Sequence, residues 1–113
     1  VIELSKDNFD VVITDKPGLA LVDFWSPGCG PCRILYQVLK QAEQRHPSVT
    51  FATCDASRYP DVAFAFEVMA TPTMVLFRDG VPVDSLVGAV PLPAVEQFLR
   101  RRDPARADAE PPC

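Results

Sequence analysis

Cysteine is scarce in this chain, with four in 113 residues. That is too few for a small scaffold held together by disulfides, and a domain of this length needs no such staple. Positive charge is in deficit: 11 Lys and Arg stand against 15 Asp and Glu, a formal charge of −4. A nucleic-acid partner is therefore not expected. No apolar run approaches the roughly 20 residues that span a membrane, so no membrane partner is expected either. No signal-peptide pattern is visible. The first residue is Val1 rather than methionine, which leaves room for a removed export signal. Internal repeats are absent. What remains is one ordinary apolar core's worth of residues in a single domain, with two cysteines close together and two isolated.

The two close cysteines fall in the most informative stretch. Leu19 to Trp25 is an apolar run, broken only by Asp23, and reads as a buried strand. Turn residues Ser26, Pro27 and Gly28 follow, then Cys29-Gly30-Pro31-Cys32. Ile34, Leu35, Val38, Leu39 and Ala42 then recur at helical spacing, and Pro31 suits a first helical turn. A pair of thiols thus sits where a strand hands over to a helix. First-turn amides have no partners within the helix, and the helix dipole is positive there. A thiol at that end is favoured as thiolate, its reactive form.

The remaining elements follow from pattern and punctuation. Val1 to Leu4 reads as a short strand. Ser5 caps a helix with Asp7 in its first turn and Phe9, Val12 and Ile13 on its inner face. Lys16-Pro17-Gly18 breaks the chain before the Leu19 strand. The helix after the cysteines runs to about Arg45 and stops before His46-Pro47. Val49 to Asp55 reads as a strand and Asp61 to Phe66 as a short helix burying Val62, Ala65 and Phe66. Thr73 to Phe77 and Val81 to Val87 read as strands joined by an Arg78-Asp79-Gly80 turn, and Pro82 suggests an edge. Gly88 ends the second strand. Pro91 and Pro93 open a last helix that buries Leu92, Val95, Phe98 and Leu99. The Pro-, Ala- and charge-rich segment 103–113 reads as a loose tail behind a domain spanning 1–102. The order β-α-β-α-β-α-β-β-α implies an α/β fold whose closing hairpin adds antiparallel strands.

Over roughly residues 1 to 102 the chain resembles thioredoxin. The residues that carry the likeness are Val22-Asp23-Phe24-Trp25, Cys29-Gly30-Pro31-Cys32-Arg33, Thr71-Pro72-Thr73, Phe77-Arg78-Asp79-Gly80 and Val87-Gly88-Ala89. The resemblance implies a thioredoxin fold, a central mixed β-sheet flanked by α-helices. It also implies a cis Pro72 facing the cysteines, although X–Pro bonds are cis in only about 5–6% of folded cases. The implied activity is reduction of protein disulfides by a Cys29/Cys32 dithiol that closes to a disulfide. The implied electron donor is a flavin- and NADPH-dependent thioredoxin reductase. No cofactor or metal of the chain's own is implied, and a cytoplasmic monomer acting as a redox carrier is expected.

Each residue has a functional and a plainer reading. Cys29, nearest the loop and expected to be exposed, is assigned as nucleophile. Activated cysteines, thioredoxin's among them, titrate between roughly 3.5 and 7.5. Cys32 turns back beneath it and resolves the mixed disulfide; the plainer reading of the pair is half a zinc site or a fixed disulfide. Asp23, buried without a partner, should have a raised pKa and take the proton of Cys32; otherwise it only accepts hydrogen bonds. A cis Pro72 would expose the Thr71 backbone to an extended substrate, against Thr71 as an ordinary strand residue. Trp25, Gly28, Gly88 and Ala89 are expected to rim Cys29, with Gly30 and Pro31 completing the substrate-binding set; Trp25 as core and Gly88 as strand terminator are the alternatives.

The chain departs from the family pattern at three places. Gly28 stands where a second tryptophan is usual, Thr53 where a lysine is usual near the buried aspartate, and Gln37 where a proline usually kinks the helix. The expectations are a more open Cys29, a further raised Asp23 and a straighter helix. Cys54 reads as an inert buried hydrophobe, Cys113 as an exposed thiol on the tail, and His46 as a helix-end residue with no metal-ligand partner. Competing functions are a disulfide oxidant or isomerase, a protein-binding subunit with incidental cysteines, and a metal or iron–sulfur carrier shared between two chains.

Overall fold

The sheet is built around Leu19–Trp25 (β2), whose residues alternate between two apolar layers. β2 pairs parallel with Thr50–Asp55 (β3) on one side and antiparallel with Thr73–Arg78 (β4) on the other. Ile2–Glu3 (β1) adds to β3, and Val81–Val87 (β5) to β4, giving the order β1-β3-β2-β4-β5. This is a mixed five-stranded sheet. The computed structural model describes residues 1–101, so the tail at 103–113 and Cys113 lie outside the described residues.

Leu19, Leu21, Phe51, Met74 and Leu76 form one buried layer with Leu35, Leu39 and Ala42 of Gly30–Arg45 (α1) and Val95, Phe98 and Leu99 of Leu92–Arg101 (α3). Ala20, Val22, Phe24, Ala52, Cys54, Val75 and Phe77 face the opposite layer, closed by Ile13 and by Ala63 of Pro60–Ala65 (α2). Burying each such side chain contributes about 1.5–3 kcal/mol. Because both faces of β2 are covered, its sequence is continuously apolar rather than alternating. Asp23 is the exception.

Three expectations need correction. The segment after Ser5 is not a regular α-helix but a turn running into a five-residue π-helix, Asp10–Thr14. Ser5 does cap the turn: its Oγ accepts from the Asp7 N–H at 3.2 Å while Asn8 Oδ1 accepts from the Ser5 N–H at 2.7 Å. The ring of Phe9 then stacks on Phe66 with centroids 5.5 Å apart, and Phe66 meets Phe77 edge-on at 5.1 Å. Those aromatic contacts hold a short segment that helix propensity alone would not. In α2 the buried residue is Ala63, and Ala65 is exposed. Leu92 is only partly buried, at the edge of the first layer.

His46 caps α1 and shares a partner with its neighbour. Glu96, almost fully buried on α3, accepts from Arg45 Nε and His46 Nε2 at 2.8 Å each through one oxygen. These bonds, Arg45's first, hold the Glu96 carboxyl below its usual range. The cluster pins the end of α1 to α3.

Asp79 and Gly80 make the β4–β5 turn with φ of 51° and 80°, the left-handed pair that two-residue hairpins need. The turn docks on the chain before β2. The Gly18 N–H donates to Asp79 Oδ1 at 2.7 Å, and the Asp79 N–H to the Gly18 carbonyl at 2.9 Å. A Cβ on Gly80 would overlap the Thr14 carbonyl, whereas one on Gly18, with φ of 87°, meets nothing within 4 Å. Gly80→Ala is therefore expected to cost at least about 2 kcal/mol and Gly18→Ala only about 1 kcal/mol. Urea unfolding midpoints compare the two.

Candidate active site

The strand-to-helix junction presents the two cysteines as the sequence suggests. After β2 the chain turns at Ser26, with the Cys29 N–H 3.4 Å from the Ser26 carbonyl. Gly28 adopts φ of 78° and is exposed. A side chain is strained at that φ, so a glycine at position 28 has a backbone reason as well as leaving the mouth of the site unfilled. Cys29 is extended (φ −87°, ψ 106°) and is the N-cap of α1. Its sulfur accepts from the Cys32 N–H at 3.2 Å. Gly30 and Pro31 occupy the exposed first turn, where proline's missing N–H costs nothing.

Cys29 and Cys32 are joined in a disulfide, with their Cα atoms 5.3 Å apart. Cys29 is half-buried, more covered than the open position expected, and Cys32 is only 5% exposed. Of the two residues, Cys29 is thus the more exposed.

A second loop closes on this one. The Thr71–Pro72 bond is cis, and the Thr71 carbonyl oxygen lies 3.7 Å from Cys29 Sγ. In the disulfide this is a contact without a proton; a reduced thiol at that place has an acceptor facing it. Ser26 Oγ and Thr71 Oγ1 are hydrogen-bonded at 2.7 Å, which ties the two loops together. Pro72 in turn accepts from the Gly88 N–H at 2.8 Å. Thr71, Pro72 and Gly88 therefore share one side of the dithiol, with exposed Ala89 next in the chain. Ser26 escaped sequence reasoning; its only signal there is a hydroxyl in a tight turn.

The other side is a cavity of about 660 Å³ that takes in Trp25, Gly28, Cys29, Cys32, Arg33 and Gln37 and reaches Asp23 and Thr53. Asp23 is 1% exposed, and its Oδ1 has no hydrogen-bond partner among the described residues. In the sheet it stands beside Thr53 on β3 and Met74 on β4, neither of them a cation. Burial pushes its carboxyl up to about 7 from 3.8. The Cys54 thiol, free and buried in the opposite layer, is pushed up to about 11, first by burial and then by Asp55 and Asp61. α1 runs unbroken through Gln37.

A redox-capable pair at a helix start, opposed by a cis-proline loop on a mixed α/β sheet, defines a thiol–disulfide oxidoreductase. Comparison with known proteins agrees. The family model described as Thioredoxin matches residues 1–101. Thioredoxin of Mycobacterium tuberculosis is 43% identical over 81 residues, 71% of this chain and 68% of that one. A bifunctional thioredoxin reductase/thioredoxin of Mycobacterium leprae is 41% identical over 91 residues, 78% of this chain but 19% of that protein. A chain from a structural study of thiol resolution in yeast mitochondrial 1-Cys peroxiredoxin via glutathione/thioredoxin systems superposes with a TM-score of 0.80. It is 30% identical and covers 89% of this chain and 94% of its own. The chain belongs to the thioredoxin family.

Asp23 makes stability depend on pH. Its folded pKa of about 7 lies above 3.8, so between those values the folded state keeps a proton that the unfolded chain has released. Its contribution to stability therefore falls as pH rises from about 4 to about 7 and is flat above. Asp23→Asn removes this dependence. The variant is expected to be the more stable protein at pH 8, by on the order of 3–4 kcal/mol, with a smaller gain at pH 5. Urea denaturation at both values reads the difference.

Proposed function

We propose that this thiol–disulfide oxidoreductase works in the reducing direction on protein disulfides. The observation that carries the reading is the position of Cys29 Sγ, at the start of α1, contacted by the Cys32 amide and facing the Thr71 carbonyl. In the reduced protein, the positive end of α1 favours the Cys29 thiolate. It attacks one sulfur of the substrate disulfide. The substrate S–S bond breaks, a mixed disulfide forms at Cys29, and the departing thiolate is protonated. Cys32 then attacks Cys29 Sγ, releasing the second substrate thiol and leaving the Cys29–Cys32 bridge. Two electrons pass from dithiol to substrate.

Asp23 is the proton acceptor for Cys32 in this scheme. Both line one cavity, and a carboxyl titrating near 7 suits proton exchange at neutral pH. Thr71 and Pro72 offer backbone to an extended substrate, with Trp25, Gly28, Gly30, Pro31, Gly88 and Ala89 around it. A separate flavin- and NADPH-dependent reductase returns the electrons; a relative whose name joins reductase and thioredoxin supports such a partner. Residues 1–102 act as one domain, with 103–113 as its tail. The chain acts as a monomeric redox carrier in the cytoplasm, where disulfides are kept reduced. Among the described residues no helix is long and apolar enough to cross a membrane.

Insulin reduction with dithiothreitol as electron source tests the direction. The wild type is expected to be active and Cys29→Ser to lose at least about a thousandfold. Cys32→Ser should accumulate a mixed disulfide at Cys29, visible by mass spectrometry. An inactive wild type, or an active Cys29→Ser, overturns the reading.

A further inference from the structure

The β2–β4 ladder stops before it reaches the dithiol loop. Its last in-register pair is Phe24 with Thr73, and Pro72, next on the β4 side, has no N–H to carry it further. Two positions on, the same register sets Ser26 across from Thr71. Residues facing each other across antiparallel strands pair through their side chains, Ser and Thr by hydrogen bonds. Such a pair is present: Ser26 Oγ and Thr71 Oγ1 lie 2.7 Å apart, partly buried. Side chains continue a ladder that the backbone cannot.

The pair closes a circuit around Cys29. The Ser26 carbonyl accepts from the Cys29 N–H at 3.4 Å, and the Thr71 carbonyl oxygen lies 3.7 Å from Cys29 Sγ. Each of the three residues thus touches the other two. Behind Thr71 the chain is anchored through Pro72, whose carbonyl accepts from the Gly88 N–H, and through Thr73, whose Oγ1 donates to the Ala70 carbonyl at 2.6 Å. The Ser26 hydroxyl fastens Thr71 to the loop that carries Cys29.

We propose that Ser26 is a positioning residue: its bond to Thr71 holds the Thr71 carbonyl against Cys29 Sγ, and so sets how readily that sulfur carries charge and how strongly the dithiol reduces. The proposal rests on the dithiol reading of the site. A carbonyl oxygen accepts a hydrogen bond from the Cys29 thiol but turns its negative end to the thiolate. Hydrogen bonding to a neutral form disfavours the charged one. The carbonyl therefore opposes the positive end of α1, which favours the thiolate. Where Cys29 is ionised, a less stable thiolate means a less stable reduced protein, and that makes a stronger reductant. The charged and titratable groups sharing the cavity with Cys29 are the Val1 ammonium, Glu3, Asp23, Cys32, Arg33 and Tyr36. Substitution at Ser26 or Thr71 leaves each of them present, so comparing variants isolates the carbonyl.

Two measurements on Ser26→Ala test this. In the first, reduced protein is alkylated with iodoacetamide across a range of pH, and modification is located at Cys29 by mass spectrometry. The midpoint of the rate profile is expected to lie at lower pH than in the wild type. In the second, the protein is equilibrated with glutathione at about pH 8.5, above the roughly 3.5–7.5 of activated cysteines. One dithiol and one glutathione disulfide exchange there for the Cys29–Cys32 bridge and two glutathiones. The constant is expected to shift at least about threefold toward the dithiol. Thr71→Val also removes the hydroxyl pair and should match both changes, and the double variant should add little to either. Ser26→Thr keeps a hydroxyl and should restore wild-type values. An unchanged or raised midpoint in both single variants, or the same shift in Ser26→Thr as in Ser26→Ala, overturns the positioning role. Failure of the wild type to reduce insulin overturns the dithiol reading instead.

Discussion

The burial of β2 on both faces is the constraint on which the rest depends. Its apolar residues join both core layers, and its ladders run to β3 on one edge and β4 on the other. A strand held so tightly fixes where its C-terminal end emerges. That end delivers Cys29 to the start of α1, and α1 is itself locked by Leu35, Leu39 and Ala42 in the first layer and by Glu96 at its far end. The sulfur chemistry is set on loops, but the loops hang from rigid elements on either side.

The same rigidity explains the strain placed at Asp23. A carboxyl in the middle of a buried strand is costly to ionise, and nothing beside it in the sheet is a cation. The fold carries the cost because β2 is anchored on both faces and along both edges. The result is a carboxyl pushed up to about 7 on the wall of the cavity that also takes in Cys29 and Cys32. Cys54 shows the opposite use of burial. It lies in the other layer, and its thiol is pushed away from reactivity.

Much of this was legible in the residues. Leu19–Trp25 matched to the residue, because a continuous apolar run bounded by Gly18 and Ser26-Pro27-Gly28 has few other readings. The thiol pair at the helix start followed from spacing and from Pro31. Elsewhere the signal was weaker. The π-helix at Asp10–Thr14 depends on Phe9 meeting Phe66 and Phe77, contacts distant in sequence that no local pattern encodes. The role of Ser26 depends on the approach of Thr71. His46 looked unpartnered because Glu96 reaches it only once α3 packs against α1.

The two margins of the sheet carry a consequence for the protein in a crowded solution. β1 is a two-residue stub, too short to template a long ladder. β5, at the other margin, includes Pro82, which has no N–H to offer, and its ladder with β4 slips register between Leu76 and Phe77. Such blunted borders discourage strand addition by a neighbouring molecule, the first step toward fibres. Both margins of the sheet are therefore poor templates for a further strand.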